Sequence, residues 1–243
     1  MIRLELKMLG ERIAVEAPQP PERVRLDEVL PILREIDNRA IDIAVSRVEA
    51  EGKSVSCRKG CSFCCRSQPV PIAPVEAFAL LRLVEALPEP RRIQVKERFA
   101  ANVEQLRGAG LIEIYRHEQP LNSKEEARAV AQRYFHLGLV CPFLEDDACG
   151  IYADRPFVCR QYLVTSPAEL CADPFSNPVQ PIAVPLRLAT AMLQVTEKHL
   201  GTPQRSLPLA LALDYAETHR SEGERTFLAR DVFGDSFEAM TAR

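Results

Sequence analysis

Apolar positions along this chain recur mostly at helical spacing, and the first stretch is the exception. Ile2, Leu4 and Leu6 alternate with charged neighbours, Leu9-Gly10-Glu11 supplies a turn, and Ile13 and Val15 resume the alternation. That period of two predicts a β-hairpin over residues 2–15, followed by a linker at Pro18, Pro20 and Pro21. Leu30, Leu33, Ile36, Ala40, Ile43 or Ala44, and Val48 then form one stripe of a helix from about Asp27 to Glu51, stopped by Gly52. Pro31 falls in its first turn, where a missing N–H has no intrahelical partner to lose.

Further helices are expected from Pro74 to about Leu87 and from Pro90 to Arg107, with Gly108 beyond the end. Ser123 and Glu126 form a capping box, each able to satisfy the other's orphan N–H, and open a helix to about Phe135. Pro185–Leu200, stopped by Gly201, and Pro208 to about Thr218 also read as helices. Phe227, Leu228, Val232, Phe233, Phe237 and Met240 read as a tail helix closing over its own core. The fold class is mainly α: an irregular helical single domain tied together at its cysteines, with a short N-terminal hairpin and a short hairpin among the cysteines. Its parts are an N-terminal hairpin and helix (1–52), a cysteine-cluster domain (53–175) and a C-terminal helical extension (176–243) on the same core.

A chain of 243 residues with 47% hydrophobic content can bury a core without help from a metal. The net charge of −3, with Lys and Arg spread along the chain, argues against nucleic acid or an anionic membrane as partner. The first seven residues lack the apolar core of a signal peptide, and no apolar run approaches the roughly eighteen residues that spanning a bilayer needs. A cytoplasmic protein is expected, and there thiols stay reduced. Its eight cysteines therefore point to metal or redox chemistry before disulfides.

The cysteines fall in two groups. The first is Cys57-Arg-Lys-Gly-Cys61-Ser-Phe-Cys64-Cys65. As a helix it would gather four sulfurs within about 80–100° of arc. A knuckle turn at Lys59-Gly60 would converge Cys57 and Cys61 equally well. The adjacent Cys64 and Cys65 project differently and suit two ions, or two irons of one cluster. The second group is Cys141 and Cys149, equidistant from Glu145 in a turn-rich Glu145-Asp146-Asp147, then Cys159 on a short helix with Asp154 as N-cap. A hairpin centred on Glu145 would set Cys141 opposite Cys149, at the roughly 4.5–5.5 Å of cross-strand partners. Cys171 is a further ligand or a buried filler. His136 is a candidate fourth ligand, whereas His117, His199 and His219 are scattered. Arg155, Arg160, Arg66, Tyr152 and Tyr162 flank the cysteines, either donating to thiolates and cluster sulfides or organising a helix start. Cys61-Ser-Phe-Cys64 matches a redox CxxC, but no βαβ pattern surrounds it.

The run Cys-x3-Cys-x2-Cys-Cys, followed by Cys-Pro-Phe-Leu, Cys-x-Ile-Tyr and Arg-Pro-x-x-Cys-Arg-x-Tyr, resembles the YkgJ-type cysteine-cluster family over about residues 55–165. The resemblance implies zinc or iron chelation and puts ligand roles on Cys57, Cys61, Cys64, Cys65, Cys141, Cys149 and Cys159. A related cluster occurs in flagellin lysine methylases. Soft thiolates suit an iron–sulfur cluster (4Fe-4S) or Zn alike, and the doublet with an odd seventh cysteine favours the cluster. The expected function is metal binding with a redox or electron-transfer role and a redox or protein partner. The alternative is a non-enzymatic zinc protein in which metal staples the two groups together or is handled as cargo.

Overall fold

The computed structural model describes residues 1–8, 11–116, 123–203 and 205–241, and of residues 2 and 6–8 the backbone alone. The mainly α expectation holds. In chain order the described helices are α1 (Leu30–Ala50), α2 (Pro74–Glu85), α3 (Glu89–Gly108), α4 (Ile112–Tyr115), α5 (Lys124–His136), α6 (Phe157–Gln161), α7 (Leu188–Leu200), α8 (Ala212–Thr218), α9 (Arg220–Gly223) and α10 (Ala229–Thr241). The strands are β1 (Ile2–Met8), β2 (Glu11–Ala17), β3 (Arg23–Arg25), β4 (Pro71–Ile72), β5 (Leu144–Glu145), β6 (Ala148–Cys149), β7 (Leu207–Pro208) and β8 (Thr226–Leu228). They pair antiparallel as β1–β2, β3–β8, β4–β7 and β5–β6.

The N-terminal alternation is a hairpin with Leu4 opposite Val15, its Leu9-Gly10 turn lying outside the described residues. Leu30, Leu33, Ile36, Ala40 and Ala44 form the buried face of α1, as their spacing requires. The Ser123 hydroxyl accepts the N–H of Glu126 at 3.1 Å and opens α5. Gly201, at φ +76°, ends α7 in the left-handed conformation that glycine takes most readily. Some boundaries differ from the spacing. Gly108 is the last residue of α3, and the turn residue is Gly110 at φ +62°. α7 starts at Leu188 instead of Pro185; the Leu186 carbonyl is held by Gln161 at 3.0 Å, outside any helix.

Two apolar cores organise the molecule. The first gathers α2, α3 and α8 around Phe78, Leu80, Phe99, Leu106 and Leu213, and includes Leu139, Phe143 and Ile151. The second gathers β2, α1, α7 and α10 around Leu33, Leu188, Met192 and Val232, and includes Phe157. α10 packs on α7 with Val232, Phe233 and Met240 buried, so the tail closes over the chain's own core. α2 serves both cores: Val75 enters the second, Phe78 and Leu80 the first. The second cysteine segment is rooted in both cores, Phe143 in the first and Phe157 in the second. No helix among the described residues is long and apolar enough to cross a membrane.

Candidate metal centre

The first cysteine segment is mostly loop. The Ser56 N–H reaches the Val164 carbonyl at 2.9 Å, and Cys61 N–H closes a turn on Arg58 O at 2.9 Å with Gly60 at φ +88°. Of the two geometries open from sequence, the knuckle turn is the one formed. Cys64 and Cys65 follow on a 3₁₀ turn, Phe63–Arg66. Their sulfurs lie 4.0 Å apart. Two thiolates on one tetrahedral ion, with bonds of about 2.3 Å, sit roughly 3.8 Å apart. The tight turn folds both sulfurs to one side, so their separation fits one shared ion as well as the two adjoining ions that neighbouring side-chain directions favour.

The second segment is a true hairpin, but its centre is not Glu145. Asp146 and Asp147 take φ +47° and +57°, forming a two-residue turn that pairs Leu144 with Cys149 and Glu145 with Ala148. Cys141 consequently lies upstream of the ladder instead of opposite Cys149. Its N–H donates to the Cys65 carbonyl at 2.7 Å, a direct backbone tie between the two segments. α3 holds this loop through side chains that sequence reading passed over. Asn102 donates to Val140 O at 3.0 Å, Arg98 to Pro142 O and Leu144 O at 3.2 Å, and Arg91 to Glu145 at 3.0 Å and Gly150 O at 2.7 Å. A signal was present. Asn102 sits on the apolar face Val95, Phe99, Val103, Leu106, where a lone amide asks for a partner.

Cys159 rides on α6, whose N-cap is Pro156 and not Asp154. Asp154 instead pairs with Arg34 of α1 at 2.9 Å. The start of α6 is secured by Glu76, 2% exposed, which accepts the Phe157 N–H at 2.8 Å and the Ala73 N–H at 2.9 Å. One carboxylate thereby satisfies orphan donors of α2 and α6 together. Arg160 does not face the thiols. It donates to Ala153 O at 2.9 Å and to the Asn38 amide oxygen, and lies 3.5 Å from the fully buried Asp37. Gln161 also donates to Asp37, at 2.6 Å.

Together these segments enclose a cavity of about 290 Å³ lined by Cys57, Cys61, Cys64, Cys65, Cys141, Cys149 and Cys159, with Arg155, Tyr152 and Tyr162 in its wall. All seven clustered cysteines thus face one space. The eighth, Cys171, is 4% exposed behind that wall and hydrogen-bonds the Tyr162 side chain. His136 is absent from the wall and packs edge-on against Phe135. His199 pairs with Asp235 at 2.8 Å and His219 stacks on Tyr215, while His117 lies outside the described residues. Among the described residues no three His, Cys, Asp or Glu side chains are yet drawn within reach of one ion.

The electrostatics separate the thiols. The hydrogen bond from Cys64 lowers Cys65 to about 7, with help from Arg155 and Arg66, and raises Cys64 in turn. Burial pushes Cys141 up to about 12 and raises Cys57, Cys149 and Cys159. Such groups lose their protons most readily to a metal, which replaces solvent as the stabiliser of the thiolate. Arg155, stacked 3.7 Å over the Tyr152 ring, is the cation that acts on Cys57, Cys65 and Cys149. Arg66 pairs with Asp147 and Ser62, ties the 63–66 turn to the hairpin, and adds a smaller pull on Cys65 than Arg155 does.

A cavity ringed by soft sulfur donors defines a thiolate metal-binding protein. Residues 56–176 match the model of a family described as "Putative zinc- or iron-chelating domain", with the signature CxxCxxCC, and that part of the chain belongs to it. Neither a curated protein nor a solved structure matches the chain.

Proposed function

We propose that this protein holds an iron–sulfur cluster in the thiol cavity and takes part in electron transfer with a protein partner in the cytoplasm. The observation that carries the reading is seven thiols around one space of about 290 Å³. A single ion held by four bonds of about 2.3 Å needs far less room than that. The donor set fits: cysteine sulfur is the usual ligand of such clusters.

A bound cluster would supply a one-electron couple. The chain's part is to hold and tune it. Cys65 and Cys141 come from segments joined by a backbone bond, α3 holds the hairpin of Cys149, and Glu76 of α2 anchors the helix of Cys159. Arg155 offsets part of the negative charge that several thiolates concentrate, a lever that raises reduction potential. Apolar wall residues such as Val70, Leu139, Phe143 and Leu209 keep water from the sulfurs.

The 4.0 Å Cys64–Cys65 sulfur separation favours one other reading, a structural zinc site. Metal there would close a loop of about 75 residues and contribute several kcal/mol in chain-entropy terms. Purification without oxygen, with metal and acid-labile sulfide assayed together, decides between them. Brown protein with iron and sulfide in equal amounts is the expected result. Colourless protein with stoichiometric zinc would overturn the redox reading.

A further inference from the structure

We propose that the thiol cavity is two metal sites: an inner one framed by Cys65, Cys141, Cys149 and Cys159, and an outer one framed by Cys57, Cys61 and Cys64, with Cys171 behind it, that takes a single exchangeable soft divalent ion. The inner site is taken as the cluster site proposed above, and the outer ion is zinc-like.

The division follows how the sulfurs are carried. The inner four come from three segments locked to one another. The Cys65 carbonyl accepts the Cys141 N–H at 2.7 Å, Cys149 lies on β6, and Cys159 sits on the α6 that Glu76 anchors. The outer thiols come from the single stretch 57–64. Arg58, Lys59 and Gly60 at its knuckle are exposed, so solvent and ions reach this side. The doublet, on the 63–66 turn with its sulfurs 4.0 Å apart, joins the loop 57–64 to the locked segments and is the edge the two groups share.

Cys171 reaches the outer group through two ties. Gln68, just past the doublet, donates to the Cys171 carbonyl at 3.1 Å, and the Tyr162 side chain in the cavity wall hydrogen-bonds its thiol. The Tyr162 carbonyl in turn faces the Cys57 sulfur at 4.0 Å. Cys57, Cys171 and Tyr162 therefore form one patch. Gly60, at φ +88° with open space around it, gives the knuckle freedom to draw Cys57 and Cys61 onto an ion.

The test is an anaerobic titration of the purified, chelator-washed protein with Co²⁺ alone, following the thiolate-to-cobalt charge-transfer band, with iron and sulfide assayed alongside. Wild type should take one equivalent of Co²⁺ while its iron and sulfide stay constant. Cys57→Ser with Cys61→Ser should weaken Co²⁺ binding by roughly 10–100-fold or more, the loss expected even of supporting groups, and keep iron and sulfide at wild-type levels. Cys171→Ser, away from the cavity wall, should weaken Co²⁺ in the same direction and serves if the double variant does not fold. Loss of iron and sulfide together with Co²⁺ binding would mean one centre and overturn the division, as would wild-type Co²⁺ affinity in these variants. Two zinc ions per chain without sulfide, one of them lost in the double variant, would keep the division and remove the cluster reading instead.

Discussion

The two walls of the thiol cavity are built on different terms. Residues 141–159 are clamped: three side chains of α3 hold the hairpin, and Glu76 and Asp37 hold α6 from below. Residues 57–62 are tied by backbone bonds at Ser56 and Cys61 and by a side-chain bond from the Ser62 hydroxyl to Asp147 at 3.0 Å, and carry exposed residues at their tip. The difference teaches that one wall is preformed and the other adaptable. A preformed wall avoids paying ordering entropy when ligand arrives, whereas the loose wall can close on an ion or open for exchange. Each prediction below attacks one tie and asks whether the contrast survives.

Glu76→Ala should have the largest effect. It strands the N–H groups of Ala73 and Phe157, both buried, and an unsatisfied buried donor costs ~1–3 kcal/mol. Urea unfolding should show a loss of ~2–5 kcal/mol, and Glu76→Gln, which retains an acceptor, a smaller one. A variant within about 0.5 kcal/mol of wild type would show that α6 needs no anchor and that the clamped wall is not clamped there.

Asp37 supplies the next effect through pH. Burial raises its carboxyl to about 6 from an ordinary 3.8, against the opposing pull of Gln161 and Arg160. A raised carboxyl favours the folded state when protonated. Its contribution is complete below about pH 4 and lost as pH climbs through about 6. Wild type should therefore lose on the order of 2–3 kcal/mol relative to Asp37→Asn between pH 4 and 7. Parallel stability curves for the two proteins across that window would contradict the buried carboxyl's role beneath α6.

What the sequence disclosed follows from the same contrast. The cysteine spacing named all seven thiols that line the cavity, because soft donors gathered in two dense groups are the pattern a shared metal centre requires. Helical stripes located α1, α2, α3, α5, α7 and α8, since period alone sets those faces. Hidden were features that depend on tertiary partners. A two-residue turn at Asp146-Asp147 needs positive φ at both positions, unfavourable for side-chain-bearing residues, so symmetry about Glu145 looked the simpler choice. Arg160 lay beside a cysteine in sequence yet turns to α1, which short-range spacing cannot reveal. Asp37, Glu76 and Asn102 were polar residues on apolar faces, the legible trace of a clamp whose partner lay 124, 81 and 38 residues away.

Breaking the α3 clamp should cost less. Arg91 is partly exposed, so its ties to Glu145 and Gly150 O are worth ~1–2 kcal/mol at most. Arg91→Ala should speed hydrogen exchange at residues 141–151 and leave residues 57–62 unchanged. Gly150→Ala should do the same by displacement, because a methyl there would stand 2.6 Å from both the Arg91 guanidinium and the Glu145 carboxylate. Equal change in both walls would show that they move as one body.

The smallest expected effect falls on the one side-chain ion pair that joins the walls. Arg66 and Asp147 are 52% and 60% exposed, and pairs in that setting contribute ~0–1 kcal/mol, less in salt. Arg66→Ala should hardly move the unfolding midpoint. Its influence should instead appear in metal release, since Arg66 also helps hold Cys65 near 7 and fixes the 63–66 turn against the hairpin. Faster loss of metal to a chelator, at unchanged stability and with a reduced dependence on ionic strength, is the expected outcome. A fall of several kcal/mol in stability with normal release would mean that the walls are joined by that ion pair, and not by the Cys65–Cys141 backbone bond and the metal itself.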